Sequence, residues 1–137
     1  MKKGFTLIEL LAVMVVLGVV ALIAVPSVLE TVNSSKMGTF RDGALGILNA
    51  AKQAYVKYAG REMSVELKDD TIYLDKEKTN EKIDYKGVRP EGGYVLITKE
   101  GKSSLAIYND LFCAYKSELE DDVSVKKIND PSECTLN

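Results

Sequence analysis

The most distinctive chemical group in the sequence is the carboxylate of Glu9, which lies near the start of an apolar stretch. Residues 5–29 are almost entirely apolar, and no side chain from Leu10 to Val25 is charged or polar. A carboxylate inside a membrane costs about 2.5–3.5 kcal/mol on insertion scales, so such a group usually has a function and a partner. The alternative is that Glu9 lies close enough to the membrane interface to stay hydrated.

The apolar stretch predicts a membrane-spanning helix, because about 20 apolar residues cross a bilayer core. Lys2 and Lys3 precede it, which places the N-terminus in the cytoplasm and residues 30–137 outside by the positive-inside rule. Two other interpretations remain. A secretory signal peptide would be shorter, and residues 25–27 form a poor cleavage site for one. An uncut signal anchor would leave Glu9 without a role.

The segment KGFTLIEL, residues 3–10, resembles the processing and assembly signal of type IV pilins and the related pseudopilins. The resemblance covers about residues 1–30 and includes the basic leader, the glycine, the phenylalanine, the glutamate and the apolar helix that follows. In that family a membrane-embedded peptidase cuts after the glycine, here Gly4, and the new N-terminal residue, here Phe5, is N-methylated. The resemblance also implies that Glu9 is needed for assembly.

The same resemblance implies the partners of the chain. They are a prepilin peptidase, a pilus assembly platform with its ATPase, the membrane, and further copies of the chain in a helical filament. The chain would be a single-pass membrane protein before assembly and part of an extracellular pilus afterwards. Adhesion and twitching motility are functions that such filaments serve.

Cleavage after Gly4 would remove the two lysines and create an α-amino group on Phe5, with a pKa near 8. Glu9 would lie about one helical turn from this amine, on the same helix face. A cation and a carboxylate at this spacing attract strongly in an apolar medium. The amine could belong to the same chain or to a neighbour, and the resemblance implies the neighbour. Such a pair would set the register of one subunit against the next.

Periodicity predicts that the helix continues beyond the membrane, because apolar residues recur at steps of three and four over residues 36–59. Gly60 is a natural stop. Pro26, which we count with Phe5 and Glu9 among the assembly residues, is expected to kink or locally melt the helix around residues 22–27. The alternative is that Pro26 ends the membrane segment. The predicted organisation is a leader at 1–4, a transmembrane and assembly helix at 5–29, its amphipathic continuation at 30–60, and an extracellular β-rich head at 61–137.

The head is predicted to be an antiparallel sheet of about four strands on which the second half of the helix packs, so the fold class is α+β and pilin-like. The main strand candidates are a hairpin of Tyr94–Lys99 and Ser103–Tyr108 with its turn at Glu100–Lys102, then Leu111–Lys116 and Val123–Ile128. Shorter candidates are Val65–Leu67, Thr71–Leu74 and Ile83–Tyr85.

Cys113 and Cys134 are candidates for a disulfide that would tie the C-terminal segment to the sheet and stabilise the head by about 3 kcal/mol. The resemblance supports this bond, since many pilins have a disulfide in their C-terminal region, and two free buried thiols are the alternative. The acidic run from Glu118 to Asp122 could bind Ca²⁺. Its spacing does not match an EF-hand loop, and a solvated turn is the favoured interpretation.

Composition excludes several kinds of chemistry. The chain has no His, only two Cys and no glycine-rich phosphate-binding motif, which excludes His-based triads, His-containing zinc sites and four-thiolate metal sites. We expect no metal and no cofactor. Residues 61–137 hold 17 acidic and 12 basic residues, which does not suggest a nucleic-acid binder.

These observations predict a structural pilus subunit rather than an enzyme. One alternative is a pseudopilin of a type II secretion or competence DNA-uptake system, which shares the N-terminal argument. An alternative of another class is a secreted or membrane-anchored binding module.

Overall fold

A computed structural model describes residues 3–136 of the chain. Met1 and Lys2 of the expected leader lie outside the described residues, as does Asn137. The elements in chain order are α1 (Leu7–Lys57), β1 (Met63–Glu66), β2 (Thr71–Leu74), β3 (Glu77–Lys82), β4 (Gly92–Ile97), β5 (Ser103–Tyr108), β6 (Phe112–Lys116), β7 (Ser124–Lys127) and a short 3-10 helix (Pro131–Glu133).

The chain divides into two compact units, residues 1–36 and residues 37–137. The first unit is the first part of α1 with the residues before it. The second unit contains the remainder of α1 and the seven strands, which form one antiparallel sheet. One long N-terminal helix together with an antiparallel sheet confirms the expected α+β class.

α1 runs through Pro26 without a break. Every residue from 22 to 27 is helical, so the locally melted stretch expected there does not form. Proline removes a single backbone N–H from the helix, and the hydrogen bonds on either side of that gap are enough to keep the backbone helical. The helix does not end at Pro26, since α1 continues to Lys57.

The sheet has seven strands in the order β3-β2-β1-β4-β5-β6-β7, rather than about four. At its centre Val65 lies opposite Val95, and Val95 lies opposite Leu105. Because side chains alternate along a strand, these three residues share one face. They are buried in one cluster with the apolar side chains of residues 37–57, so this inner face packs on α1. The opposite face is the outer face.

β3 replaces the strand that was expected at Ile83–Tyr85, which is not part of the sheet. β3 is an exposed edge strand of sequence EKTNEK and lacks the apolar alternation from which strands are predicted. It forms because Asp75 and Lys76 adopt φ values of +48° and +71°, as a two-residue type I′ hairpin turn requires. Arg61 donates two hydrogen bonds, of 2.8 and 2.5 Å, to Asp75 and so holds the turn.

Residues at the C-terminal end of α1 form an ion pair and a hydrogen bond with this edge strand. Lys57 Nζ lies 2.6 Å from Glu81 Oε2, and the Tyr58 hydroxyl donates to the same carboxylate oxygen. These partners, Lys57 first and then Tyr58, hold the pKa of Glu81 below its ordinary value.

A buried carboxylate anchors the connection between β3 and β4. Asp70 is 7% exposed; it forms an ion pair with Arg89 and accepts a 3.2 Å hydrogen bond from the Tyr85 hydroxyl. Burial, followed by the negative charge of Asp70, raises the pKa of Tyr85 to about 12. A buried carboxylate needs such partners, so the cluster fixes the segment that carries Tyr85 and Arg89.

The C-terminal segment is tied to the outer face of the sheet. A disulfide joins Cys113 of β6 to Cys134, with Cα atoms 5.4 Å apart. Both cysteines are buried with Ala106 and Ile128, and three tyrosines pack against this small cluster. Of the two possibilities considered from sequence, a disulfide or two free thiols, the structure shows the disulfide.

α1 ends in a Schellman motif. The Gly60 N–H donates to the Tyr55 carbonyl at 3.0 Å, and the Ala59 N–H donates to the Val56 carbonyl at 3.1 Å. Ala59 has a φ of +55° and Gly60 has a φ of +73°, so both residues are left-handed and the first of them is an alanine.

Replacing Ala59 by glycine is expected to raise the free energy of unfolding by about 0.5–1 kcal/mol, because the left-handed conformation strains an L side chain and not glycine. Denaturant unfolding of the full chain measures the change. Ala50→Gly, in the interior of α1, is the matched control and should lower stability by about 1 kcal/mol. A loss of stability in both variants would contradict the left-handed assignment.

Replacing Cys113 and Cys134 together by serine is expected to lower the free energy of unfolding by about 3 kcal/mol, since the bond closes a loop across a sequence separation of 21. Denaturant unfolding of the double variant gives the value, and reduced wild-type protein should show the same loss. Unchanged stability in either sample would show that the bond does not hold the C-terminal segment.

Candidate functional site

Thr6 and Glu9 form the N-terminal cap of α1. Glu9 Oε2 accepts hydrogen bonds from the backbone N–H and the hydroxyl of Thr6, both at 2.9 Å, and the Glu9 N–H donates to Thr6 Oγ1 at 3.3 Å. This reciprocal pattern is a capping box, in which the residue before the helix and the third helical residue satisfy each other's backbone N–H groups. The carboxylate of Glu9 therefore has a partner within its own chain.

Reasoning from the charge of Glu9 alone misses this role of Thr6. The sequence Thr-Leu-Ile-Glu before an apolar run is nevertheless the signature of a capping box, so the pair could have been identified without a structure.

The apolar part of α1 is exposed around its whole circumference. Each large apolar side chain from Leu7 to Leu29 is at least 54% exposed, and Phe5 is 91% exposed. By length and composition α1 can cross a membrane, and none of its most apolar 18-residue window is buried. A contiguous apolar surface of this extent marks a contact with lipid or with other protein.

The expected site residues fall in separate parts of the structure. Gly4 and Phe5 precede α1 and are exposed, five and four residues before Glu9 in sequence. Pro26 lies farther along the same helix, and the disulfide belongs to the second unit. The structure therefore places the residues of the expected cut and the lone carboxylate in one short exposed segment.

The acidic run from Glu118 to Asp122 is engaged with protein groups. Asp122 forms an ion pair with Arg41 and accepts the Val123 N–H at 2.8 Å, while Glu120 accepts the Ser117 N–H at 3.0 Å. The Val123 N–H and then Arg41 hold the pKa of Asp122 below its ordinary value. Among residues 3–136, no group of three His, Cys, Asp or Glu side chains is arranged to hold a metal.

Glu9→Ala in the full-length precursor is expected to fray the first turn of α1, because it removes the acceptor of the Thr6 N–H. Hydrogen exchange of the Thr6 amide, followed by NMR in detergent micelles, should speed up roughly five-fold, as the loss of a cap of about 1 kcal/mol predicts. Glu30→Ala, in the middle of the helix, should leave that rate unchanged. An unaltered Thr6 rate in Glu9→Ala would contradict the capping box.

Comparison with known proteins bears on this N-terminal segment. A family model described as the prokaryotic N-terminal methylation motif matches residues 1–25. The match covers the basic leader, Gly4, Phe5, the capping box and most of the apolar stretch. No curated protein and no solved structure matches the chain. The chain therefore carries the prepilin-type N-terminal signal of type IV pilins and pseudopilin-like precursors.

Proposed function

We propose that the chain is a structural subunit, a type IV pilin, which is cut between Gly4 and Phe5 and then polymerises into a helical surface filament. The observation that carries this proposal is the exposed apolar surface of residues 5–29, which bears one carboxylate and lies almost entirely within the methylation motif. Such a surface suits lipid before assembly and identical helices after it. The subunit contributes contacts and performs no catalysis.

Glu9 exchanges its partner during assembly. In the precursor its carboxylate accepts hydrogen bonds from Thr6. Cleavage then creates the Phe5 amine, which is mostly protonated at neutral pH. The amine of a neighbouring subunit pairs with Glu9 as the helices pack, because their attraction is far stronger in an apolar medium than in water. The pair fixes the axial register, since a buried carboxylate is tolerated only where it meets a partner.

The signal also defines the proposed partners and orientation. A prepilin peptidase makes the cut, and an assembly platform with its ATPase builds the filament, which serves adhesion or motility. Lys2 and Lys3 keep the N-terminus in the cytoplasm, so residues 30–137 lie outside. The disulfide supports this orientation, because disulfides persist in oxidising compartments.

A pseudopilin of a type II secretion or DNA-uptake system is the second candidate, because the N-terminal signal is common to both kinds of subunit. The substantial head, a sheet stapled by a disulfide, favours the pilin. Imaging distinguishes them: shed surface fibres composed mainly of this protein indicate a pilus, whereas a subunit that stays in the membrane fraction indicates a pseudopilus.

Intact mass tests the processing step. The mature protein is expected to begin at Phe5 and to carry one methyl group, because the cut follows Gly4. Gly4→Ser should accumulate as uncut precursor in the membrane. A mature chain that begins at any other residue, or normal processing of Gly4→Ser, would contradict the proposal.

Filament formation tests the role of the carboxylate. Glu9→Ala should be cut and methylated normally but should form no filaments in electron micrographs, since the neighbouring amine loses its partner. Glu30→Ala is the matched control, and it should form filaments because Glu30 lies outside the methylation motif. Normal fibres from Glu9→Ala would refute the charge pair while leaving the processing result intact.

A further inference from the structure

The outer face of the sheet contains a concave depression of about 600 Å³ that lies outside the N-terminal segment. It lies over β1, β4 and β5, with β2 and the turn after it at one side. The lining residues with polar groups are Ser64, Glu66, Tyr73, Lys76, Tyr94 and Tyr108. The volume falls within the range of roughly 300–1,000 Å³ that is typical of small-molecule sites.

Short residues form the floor of this depression. Ser64, Gly93 and Ala106 line it, and none of them has a side chain large enough to fill the space between the tyrosines. Gly93 has a φ of +118°, and a methyl group there would collide with the backbone of Ala106 and Ile107. Glycine is therefore required at this point of β4, where the backbone of β5 approaches closely.

Strand register places the aromatic and polar groups side by side. Tyr94 lies opposite Glu66 on β1 and opposite Ala106 on β5, and Tyr108 is two residues beyond Ala106 on the same face. The Tyr73 hydroxyl donates to Glu66 Oε2 at 3.3 Å, which orients the carboxylate. The half-buried rings of Tyr73 and Tyr94 thus lie next to the Glu66 carboxylate, and Tyr108 lies farther along the same face.

The charges in the depression indicate the class of ligand. Glu66 and Lys76 bring one negative and one positive charge, so the site has no net attraction for either kind of ion. The phenol rings provide apolar faces, and the hydroxyl, carboxylate and ammonium groups provide both donors and acceptors. A neutral sugar ring has matching features, with C–H groups on its faces and hydroxyl groups around its edge.

We propose that this depression on the outer face binds a neutral saccharide, with Tyr94 and Tyr108 packing on the sugar ring and Ser64, Glu66 and Lys76 hydrogen-bonding its hydroxyl groups. The site is independent of the assembly segment, since its lining residues all lie in the second unit. An organic cation is less suitable because the opposite charges of Glu66 and Lys76 leave no net attraction for it. A docked protein would need roughly 800 Å² of interface on this chain, more than a small-molecule depression offers.

Direct binding to the full chain tests the proposal. The protein is held in micelles of a polyoxyethylene detergent, which has neither a sugar nor an ammonium headgroup. The probes are glucose, galactose, mannose, N-acetylglucosamine and their β-linked dimers, examined by saturation-transfer NMR. At least one probe is expected to bind more tightly than about 10 mM, a typical lower limit for weak but specific recognition. Absence of binding by every probe would overturn the proposal.

Two tyrosines on the same face provide a matched pair of variants. Tyr94→Ala should weaken saccharide binding at least about ten-fold, because a stacked aromatic ring contributes roughly that much. Tyr115→Ala removes a half-buried tyrosine that lies opposite Ala106 but outside the depression, and it should leave the affinity unchanged. Equal losses in both variants, at matched unfolding temperatures, would place the ligand elsewhere.

A second variant keeps the test valid if Tyr94→Ala does not fold. Glu66→Gln preserves the shape of the side chain and should weaken binding by roughly three- to ten-fold, because a charged acceptor makes a stronger hydrogen bond than an amide. Tetramethylammonium chloride is the cation probe. If it binds with a Glu66-dependent affinity while the saccharides do not, the depression is a cation site and the proposal is wrong.

Discussion

Glu9 is the one ionisable side chain between Phe5 and Leu29, in a helical segment whose large apolar side chains are all exposed. The apolar surface must be removed from water, and the carboxylate must keep a hydrogen-bonding or charged partner wherever water is absent. The capping box with Thr6 meets the second requirement in the single chain. A neighbouring subunit would meet both, because its helix covers the apolar surface and its new N-terminal amine matches the carboxylate.

The buried core of the second unit is formed by residues of that unit. The inner face of the sheet and residues 37–57 of α1 share one buried cluster, and the disulfide closes the C-terminal segment onto the outer face. Its edge strands discourage further strand pairing: β3 is exposed and charged, and β7 carries Lys126 and Lys127. In the proposed filament, contacts between subunits are thereby left to the helix, and the outer face is left open to the proposed ligand.

The functional segment could be identified from sequence because its chemistry is local. Gly4, Phe5 and Glu9 fall within six consecutive residues, and the capping box of Thr6 with Glu9 spans only four. The strands that carry alternating apolar residues, such as β4 and β5, were predictable for the same reason. β3 was not, since an exposed edge strand needs no apolar side chains and depends on the turn at Asp75 and Lys76.

Features that depend on register or on long-range contacts could not be predicted. Asp70 meets Tyr85 and Arg89 only after β3 has turned the chain back, and no spacing in the sequence encodes that cluster. The outer depression depends on Tyr94 lying opposite Glu66, which a shift of one residue in the register would abolish. The residue types of such sites can therefore be read from the sequence, but which of those residues lie together in space cannot.

In the proposed assembly, Glu9 passes from Thr6 to the N-terminal amine of a neighbouring subunit. A filament structure at near-atomic resolution measures this directly, through the distance between each Glu9 carboxylate and the nearest Phe5 nitrogen. We expect a separation within about 4 Å, the limit for an ion pair, across a subunit boundary. A carboxylate that still caps its own Thr6, with the neighbouring amine beyond that distance, would contradict it.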